Sequence, residues 1–285
     1  MPKPKVSVIM NCYNSSKYLR EAIDSVYAQT YRDWEIIFWD NASTDNSADI
    51  AKSYDENLRY FYAEKTVPLG YARNLAIEKA QGEYIAFLDC DDIWLPEKLE
   101  KQIELLKLNE DVALVYSDSS IIDGDGVLKQ NTYLWTNQRF YRGLIFEKLL
   151  LADFIPLLTV VLRKNKLDKV GLFNTKYKIA EDYDLFLRVA ESNKIDYIDQ
   201  PLAMYRFHSF NASKNIELMT QEEFQLIDYW ADKETDFPEN VKKAIRKKKT
   251  LLYLRLIKYY FFKFEYTNLY RTGLNLLKFF YKCYL

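Results

Sequence analysis

The sequence has few of the residues on which disulfide scaffolds and zinc sites are built. Its 285 residues include three cysteines, Cys12, Cys90 and Cys283, and a single histidine, His208. An odd number of cysteines at no metal-ligand spacing indicates neither a disulfide framework nor a zinc site. We therefore expect a protein of a reducing compartment, the cytoplasm.

Long apolar runs are also missing. The best candidate for a membrane span, residues 259–262, is bounded by Lys258 and Lys263, whereas a spanning helix needs roughly 18 apolar residues. The first residues lead directly into a strand-like stretch, without the apolar core of a signal peptide. The sequence therefore predicts a soluble protein or one that is peripheral to a membrane.

Acidic and basic residues balance over the whole chain but not within it. The formal net charge is -1, which argues against a nucleic-acid binder. From about residue 241 onward, roughly a dozen lysines and arginines accompany one acid, Glu265, and many aromatic residues. Such a region suits a helix at an anionic lipid surface, so we expect it to bind the inner face of the cell membrane. The alternative is that its aromatic side packs on the rest of the protein.

Strand-like runs alternate with amphipathic helical patterns in the first half of the chain. The strand-like runs are residues 6–10, 35–39, 58–62, 84–88 and 112–116. The helical patterns are residues 17–29, 47–54, 71–80 and 96–108. This alternation predicts an α/β fold with a parallel sheet covered by helices. Further along, we predict a strand at residues 157–162, a helix at residues 182–192 and a change of composition near Ser213.

Polar segments directly follow four of the predicted strands. They are residues 11–14, 40–45, 65–73 and 89–92. An open α/β sheet binds ligands beyond the carboxyl ends of its strands. We therefore expect the four segments to converge on one site.

Three carboxylates, Asp89, Asp91 and Asp92, crowd the end of the apolar run at residues 84–88. Like charges this close raise one another's pKa, and a bound cation relieves the repulsion. Oxygen ligands suit Mg²⁺ or Mn²⁺, either of which usually completes its shell with water and substrate phosphates. The alternative interpretation is an acidic loop that caps the helix predicted at residues 96–108.

A second acidic group, Glu181, Asp182 and Asp184, lies at the start of a later predicted helix. A carboxylate that points into a cleft there can take a proton from an attacking hydroxyl, which is the work of a general base. Simple capping of the helix N-terminus is the alternative, because acids favour the first helical turn.

Arg206 and His208 lie two residues apart on an extended segment. Their side chains are therefore expected on the same side, where they could meet a diphosphate or its metal. The alternative for an isolated histidine is that it is simply packed or solvated.

Other polar residues of the predicted loops suit a nucleotide. Asp40 follows an apolar run and is placed to accept hydrogen bonds from a base or ribose, whereas Asp45 suits an Asx turn and a helix cap. Tyr13 could stack on a base and Arg73 could approach a phosphate. A surface tyrosine and a helical arginine are also ordinary features.

Taken in chain order, these segments resemble the family-2 glycosyltransferases with the GT-A fold. The matching parts are Val6-Ser7-Val8-Ile9-Met10 with Tyr13-Asn14, then Asp40-Asn41-Ala42-Ser43-Thr44-Asp45, Leu88-Asp89-Cys90-Asp91-Asp92, Glu181-Asp182 and Arg206-x-His208. The resemblance covers about residues 5–215. It implies a Rossmann-like, mostly parallel central sheet flanked by helices, with a helical C-terminal extension.

The resemblance also implies a role for each site residue. The nucleotide-binding residues would be Asn11, Tyr13, Asp40, Arg73 and Asp89. Asp91 and His208 would hold Mn²⁺ or Mg²⁺, and Asp182 would be the catalytic base. The residues near the acceptor or the phosphates would be Asp92, Glu181 and Arg206. Two departures stand out: Asn11 replaces the usual proline, and Asn41 with Ala42 replaces the usual second aspartate or glycine.

The implied reaction is inverting transfer of a sugar from a nucleoside-diphosphate sugar, most readily a UDP-sugar, to a hydroxyl of a glycan or lipid-linked acceptor in cell-surface polysaccharide synthesis. Residues 1–117 would bind the donor, residues 118–215 the acceptor and base, and residues 216–285 would form the helical extension. The alternatives are a non-catalytic nucleotide-sugar-binding module and a metal-dependent nucleotide-sugar hydrolase. A processive synthase is disfavoured, because the Gln-x-x-Arg-Trp motif is absent.

Overall fold

A computed structural model describes residues 4–131, 140–209, 211, 215–233 and 237–284. The chain divides into two compact units. Unit 1 comprises Met1–Ile145 and Phe154–Ser209, and unit 2 comprises Phe146–Asp153 and Phe210–Leu285. The functional division expected at residues 117 and 215 stays a prediction, and the composition change near Ser213 falls outside the described residues.

Unit 1 is built on one sheet, which has nine strands in the described part of the chain. The strands are β1 (Val6–Cys12), β2 (Trp34–Asp40), β3 (Leu58–Tyr62), β4 (Tyr84–Phe87), β5 (Ile93–Trp94), β6 (Val112–Asp123), β7 (Leu128–Gln130), β8 (Val161–Arg163) and β9 (Lys194–Phe207). Their order is β3-β2-β1-β4-β8-β6-β9-β5, with β7 paired to β6. The α/β prediction is therefore confirmed.

The first four strands form a parallel group in which β1 lies between β2 and β4. Strand β8 is antiparallel to both β4 and β6, and β9 runs parallel to β6 and antiparallel to β5. Every residue of β2 is buried. Continuous apolar runs of this kind are expected where helices cover both faces of a parallel sheet.

Helices of unit 1 connect these strands. They are α1 (Ser16–Tyr27), α2 (Ser47–Lys52), α3 (Leu69–Lys79), α4 (Lys98–Leu108), α6 (Lys164–Val170) and α7 (Glu181–Ser192). Leu19, Ile23 and Val26 of α1 are buried at the predicted helical spacing. The strand predicted at residues 157–162 is wrong in its first half, because Leu157–Thr159 form a 3-10 turn. A short buried apolar run does not by itself distinguish the two structures.

Unit 2 is helical. It contains α5 (Phe146–Leu151), α8 (Ile216–Asp232), α9 (Glu239–Phe262) and α10 (Tyr266–Tyr284). Its core holds the fully buried Trp230, whose ring centroid lies 4.9 Å from that of Phe146. Glu223 is also buried and pairs with Lys248 and Arg255 of α9. None of the described helices is long and apolar enough to cross a bilayer.

Candidate active site

The loops that follow β1 and β2 interlock at the carboxyl end of the sheet. The backbone N–H of Asn14 donates to the Ser43 hydroxyl at 3.0 Å, and the Thr44 N–H donates to the Asn14 side-chain oxygen at 2.8 Å. Asn14 adopts a positive φ of 52°, which asparagine tolerates better than most residues. The two loops therefore form a single wall, as the predicted convergence requires.

Asp40 closes the turn after β2. It is fully buried, and one carboxylate oxygen accepts from the Ser43 N–H at 2.8 Å while the other accepts from the Tyr60 hydroxyl at 2.7 Å. Ala42, inside this turn, has a φ of 66°. Both oxygens of Asp40 thus already have partners within the protein, and its contact with a base or ribose stays a prediction.

Asp45 joins the starts of two helices. Its carboxylate accepts from the Ser47 N–H at 3.0 Å and from the Ser16 N–H at 2.9 Å, at the first residues of α2 and α1. Burial alone would raise the pKa of Asp45, but these hydrogen bonds outweigh it and lower the pKa to about 2. The Asx turn and cap predicted for Asp45 are confirmed.

Asn41 holds the next loop in place. Its side-chain amide donates to the Val67 carbonyl at 2.8 Å, and its side-chain oxygen accepts from the Val67 N–H at 3.1 Å. This pair fixes the segment before α3, which carries Arg73. In the sequence, this role is signalled by Asn41 itself, which replaces the aspartate or glycine that is usual in this loop of the family.

Arg73 connects two acidic segments that are far apart in the chain. Its guanidinium donates to Glu181 at 2.6 Å and to Asp89 at 3.0 Å, and the side chain is 5% exposed. It also lies 5.5 Å from the centroid of the Phe173 ring. The structure therefore brings Asp89 and the start of α7 together through one buried cation. The predicted approach of Arg73 to the nucleotide stays a prediction.

Helix α3 also anchors the segment that leads into α7. The Asn74 side chain donates to the Phe173 carbonyl at 2.9 Å and accepts from the Phe173 N–H at 2.9 Å. Two adjacent residues of α3 thus hold this region: Arg73 binds the first residue of α7, and Asn74 binds the segment before it. Nothing in the local sequence indicated the role of Asn74.

Glu181 and Asp182 occupy the first turn of α7. Glu181 is 3% exposed, and its Oε2 has no hydrogen-bond partner among the described residues. Burial raises the pKa of Glu181 to about 7, although Arg73 opposes the rise. Burial also raises the pKa of the half-buried Asp182, again against Arg73. Asp182 accepts from the Tyr183 N–H at 2.7 Å, so local helix-start bonding and an elevated pKa coexist there.

The end of β9 is hydrogen-bonded to residues 89–92, which we call the acidic loop. Asp92 accepts from the Arg206 N–H at 2.8 Å, and the Arg206 Nε donates to the Asp91 carbonyl at 2.7 Å. Arg206 is 1% exposed and also pairs with Glu21. Its guanidinium thus positions the loop from within the protein, and its predicted contact with a diphosphate stays a prediction.

His208 meets the middle of the acidic loop. Its Nε2 lies 2.7 Å from an Asp91 carboxylate oxygen, and its ring stacks on Tyr18 with centroids 5.7 Å apart. Arg206 lies over the same Tyr18 ring at 4.5 Å. Arg206 and His208 therefore point to the same side of the segment, as predicted. Phe210 and Ser213 of that segment fall outside the described residues.

The remaining predicted residues line the same end of the sheet. Tyr13 is half exposed, as is Tyr62 at the end of β3. Asn11 has a buried side-chain nitrogen without a partner among the described residues. Its carbonyl accepts from the Cys90 thiol at 3.3 Å. This contact ties the end of β1 to the acidic loop between Asp89 and Asp91.

The acidic loop has the donor chemistry for a divalent cation. Burial and the neighbouring Asp89 raise the pKa of Asp91, and burial with both other carboxylates raises that of Asp92. A cation would relieve this crowding. In the described residues, no three His, Cys, Asp or Glu side chains are arranged as a complete metal cluster. The donor set of Asp91 and His208 instead fits an ion that keeps water and phosphate ligands.

Comparisons with known proteins agree with this picture. The family model described as "Glycosyl transferase family 2" matches residues 7–171. A glycosyltransferase of Methanocaldococcus jannaschii, MJ1057, is 34% identical over 213 residues, which are 72% of this chain and 72% of that protein. The UDP-Glc:alpha-D-GlcNAc-diphosphoundecaprenol beta-1,3-glucosyltransferase WfgD of Escherichia coli is 32% identical over 74% of this chain and 80% of its own length.

Some relatives are much longer. A Rickettsia felis glycosyltransferase is 33% identical over 77% of this chain, but the match spans only 37% of that protein. In the Rickettsia conorii relative the match spans 36%. The chain therefore corresponds to little more than a third of these two proteins.

Solved structures show the same fold. S. aureus TarS 1-349 in complex with UDP-GlcNAc has a TM-score of 0.64 at 19% identity, over 94% of this chain and 92% of that one. The mannosyltransferase PcManGT from Pyrobaculum calidifontis, in complex with GDP-Man and Mn²⁺, has a TM-score of 0.68 at 18% identity, over 99% and 76% of the two chains. At these identities the likeness concerns the fold.

Proposed function

Because the chain belongs to glycosyltransferase family 2, we propose that it transfers a sugar from a nucleoside-diphosphate sugar to an acceptor hydroxyl, with inversion of the anomeric configuration. The observation that carries the proposal is the Arg73 bridge between Asp89 and Glu181. It joins the acidic loop to the first turn of α7, where Asp182 lies. A diphosphate with its metal would then lie at the same end of the sheet as the general base.

The donor would lie against the loops that follow β1, β2 and β4. The half-exposed Tyr13 offers an aromatic face to a base, and Asn11, Asp40 and Asp89 border the same loops. A UDP-sugar is the donor we propose, because the names of two relatives point to it: WfgD uses UDP-Glc, and TarS was crystallised with UDP-GlcNAc. PcManGT, bound to GDP-Man, is the counterexample.

Asp91 and His208 would hold Mn²⁺ or Mg²⁺. When bound, such an ion neutralises negative charge that develops on a departing diphosphate. The protein positions these two ligands before any ion binds. Arg206 and Asp92 hold the acidic loop and the end of β9 together, so that Asp91 and His208 stay side by side. Positioning of this kind is a major part of transfer catalysis.

Asp182 would act as the general base. Its burial raises its pKa above the ordinary value of an aspartate, and a base becomes more effective as its pKa approaches the working pH. Asp182 would take the proton from the acceptor hydroxyl as the oxygen attacks the anomeric carbon and the diphosphate leaves from the opposite side. Arg73 limits how far the pKa of Asp182 rises, so that the carboxylate remains available as a base.

The acceptor we propose is a glycan or a lipid-linked sugar in cell-surface polysaccharide synthesis. The printed name of WfgD specifies a diphosphoundecaprenol-linked acceptor, and unit 2 contains the basic, aromatic region expected to bind lipid. The protein would then act in the cytoplasm, at the inner face of the membrane.

Two aspartate variants test the assignment. Thermal melting is measured with UDP-glucose, UDP-GlcNAc and GDP-mannose, each with and without Mn²⁺. Asp91→Ala is expected to abolish the Mn²⁺-dependent stabilisation by the donor. Asp182→Asn is expected to keep that stabilisation and to lose about 10²–10⁴-fold in transfer rate. Asp125→Asn, an exposed acid on a turn, is the matched control and should behave as the wild type.

The products separate the competing functions. Sugar recovered on an acceptor supports the transferase, sugar released only into water indicates a hydrolase, and donor binding without turnover indicates a binding module. Full transfer by Asp182→Asn would remove Asp182 from the role of base.

A further inference from the structure

A stripe of large side chains runs along one side of α10. We call it the α10 stripe, and its members are Tyr266, Tyr270, Leu274, Leu277 and Tyr281. They are between 38% and 72% exposed. Their spacing of four, four, three and four residues places all five within an arc of about 80° at 100° per residue. Single exposed apolar residues are ordinary, but a contiguous stripe indicates a binding surface.

The opposite side of α10 packs within unit 2. Thr272 is buried, and the Phe279 ring lies 5.9 Å from that of Tyr253 on α9. Lys249 of α9 lies over the same Phe279 ring at 6.0 Å. The core of unit 2 therefore uses one side of α10 and leaves the α10 stripe to solvent.

The end of α9 and the turn before α10 add more exposed aromatic surface. Phe261, Phe262 and Phe264 are 59%, 68% and 73% exposed. Phe264 also has a φ of 57°, a conformation that costs a bulky residue energy and that glycine or asparagine usually occupies. A strained, exposed phenylalanine at a helix end is better explained by a partner than by the stability of the fold.

The basic residues of α9 and α10 have different surroundings. In α9, several of them form ion pairs within unit 2: Lys248 and Arg255 pair with Glu223, and Lys249 pairs with Asp228. Helix α10 contains no acidic residue, and its Arg271 and Lys278 are exposed. At 100° per residue these two lie along one edge of the stripe.

We propose that the α10 stripe, with Phe261, Phe262 and Phe264, is a docking surface for an anionic lipid headgroup layer. The aromatic and leucine side chains would enter the boundary between headgroups and acyl chains, while Arg271 and Lys278 meet lipid phosphates. A second copy of the chain fits less well, because a symmetric contact would bring these cations against their own counterparts. The proposal deepens the proposed function and rests on it for its purpose, access to a lipid-linked acceptor.

Co-sedimentation of the full chain with vesicles tests the apolar part. The vesicles are phosphatidylcholine alone, or phosphatidylcholine with about one third phosphatidylglycerol. The wild type should partition at least about tenfold better into the anionic vesicles. The triple variant Tyr270→Ser, Leu277→Ser, Tyr281→Ser should lose about tenfold or more. The control triple variant Leu108→Ser, Val127→Ser, Leu144→Ser removes equally exposed residues of unit 1 and should match the wild type.

A pair of charge variants tests the electrostatic part. Arg271→Gln with Lys278→Gln should weaken binding to anionic vesicles about tenfold or more and reduce its salt dependence. Lys243→Gln with Lys247→Gln removes the same charge from exposed positions of α9 and should have much less effect. Equal losses in the two double variants, or a stripe variant that sediments like the wild type, would overturn the proposal. A stripe variant that changes the molecular mass in analytical ultracentrifugation would show a protein–protein interface instead.

Donor binding in solution keeps the two proposals separable. Stabilisation by UDP-glucose and Mn²⁺ is measured on the same α10 variants without vesicles and should equal that of the wild type. Sugar transfer without any vesicle binding contradicts the docking surface alone. Vesicle binding without transfer contradicts the proposed function alone.

Discussion

The guanidinium of Arg73 donates a 2.6 Å hydrogen bond to Glu181, which follows it by 108 residues in the chain. Both side chains are almost completely buried. A buried charge is tolerated only when it is paired, because its transfer out of water is costly. Arg73 is therefore both a structural link between α3 and α7 and the counter-charge shared by Asp89, Glu181 and Asp182.

Replacing Arg73 with methionine is expected to destabilise the protein by about 3–5 kcal/mol, because two acids lose a buried partner. Adding Glu181→Leu to that variant should restore most of the loss, since the half-exposed Asp89 can be solvated. Urea unfolding measures both effects. Lys194→Met, which breaks an exposed pair with Asp111, is the control and should leave the midpoint unchanged. An Arg73→Met midpoint equal to that of the wild type would contradict this account.

The stability of the protein should fall as the pH rises from about 5 to about 7. Glu181 has a folded-state pKa of about 7 against an ordinary value of 4.5, so the folded state binds more protons than the unfolded state in this range. The stabilisation by Glu181 is fully present below the pKa that this residue has in the unfolded state. It is lost as the pH rises through the pKa of Glu181 in the folded state. The difference between the two pKa values corresponds to about 3 kcal/mol.

Glu181→Gln should flatten this part of the pH profile, because glutamine does not titrate. Unfolding free energies from urea titrations at successive pH values provide the measurement. Glu147→Gln, an acid of unit 2 outside the site, should retain the wild-type slope. A slope that survives in Glu181→Gln would assign the titration to another group.

Tyr18 is expected to position His208. Its ring supports the imidazole on one side, while the Nε2 of His208 meets Asp91. Outer partners of a metal ligand typically contribute about 10–100-fold to metal affinity. Tyr18→Leu should therefore weaken Mn²⁺ binding by about tenfold or more, whereas Tyr18→Phe, which keeps the ring, should not.

Electron paramagnetic resonance of free Mn²⁺ measures this binding directly, without turnover, and thermal melting checks that the fold is intact. If Tyr18→Leu binds Mn²⁺ as tightly as the wild type while Asp91→Ala does not bind it, His208 would not be a ligand that depends on Tyr18.

Ala42→Gly should stabilise the protein. Ala42 has a φ of 66°, and this left-handed conformation costs an alanine roughly 1–2 kcal/mol that glycine does not lose. Glycine also has more conformational freedom in the unfolded chain, which offsets part of this difference. The expected net increase in the free energy of unfolding is about 0.5–1 kcal/mol. Ala28→Gly, at an exposed position with a φ of -78°, should instead be neutral or destabilising. Calorimetric melting curves of both variants decide the matter.

Much of unit 1 could be predicted from the sequence because the relevant signals are local. The apolar runs of β1, β2 and β4 reflect strands that are buried on both faces, and the spacing of Leu19, Ile23 and Val26 reflects one face of α1. The turn at Asp45 is predictable because an Asx turn involves neighbours a few residues apart. The shared position of the polar loops followed from the geometry of any parallel sheet.

The partners of the polar residues could not be predicted in this way. Asp40 has its carboxylate occupied by Ser43 and Tyr60, Asn41 binds Val67, and Arg206 is turned toward Asp91 and Glu21. Apart from the local Asp40–Ser43 bond, these contacts join segments whose distance in space depends on the whole sheet. Local periodicity carries no information on such distances.

By itself, the sequence determined the class of fold, the positions of the acids at strand ends, and the basic, aromatic character of the C-terminal region, because each depends on composition or on short-range spacing. Only the tertiary structure decided which basic residue each of these acids meets. The alignment of β9 along β6, and its short pairing with β5, bring Arg206 and His208 to Asp91 and Asp92. Hydrogen bonds and ion pairs act over a few ångströms, so their partners are settled only when the chain has folded.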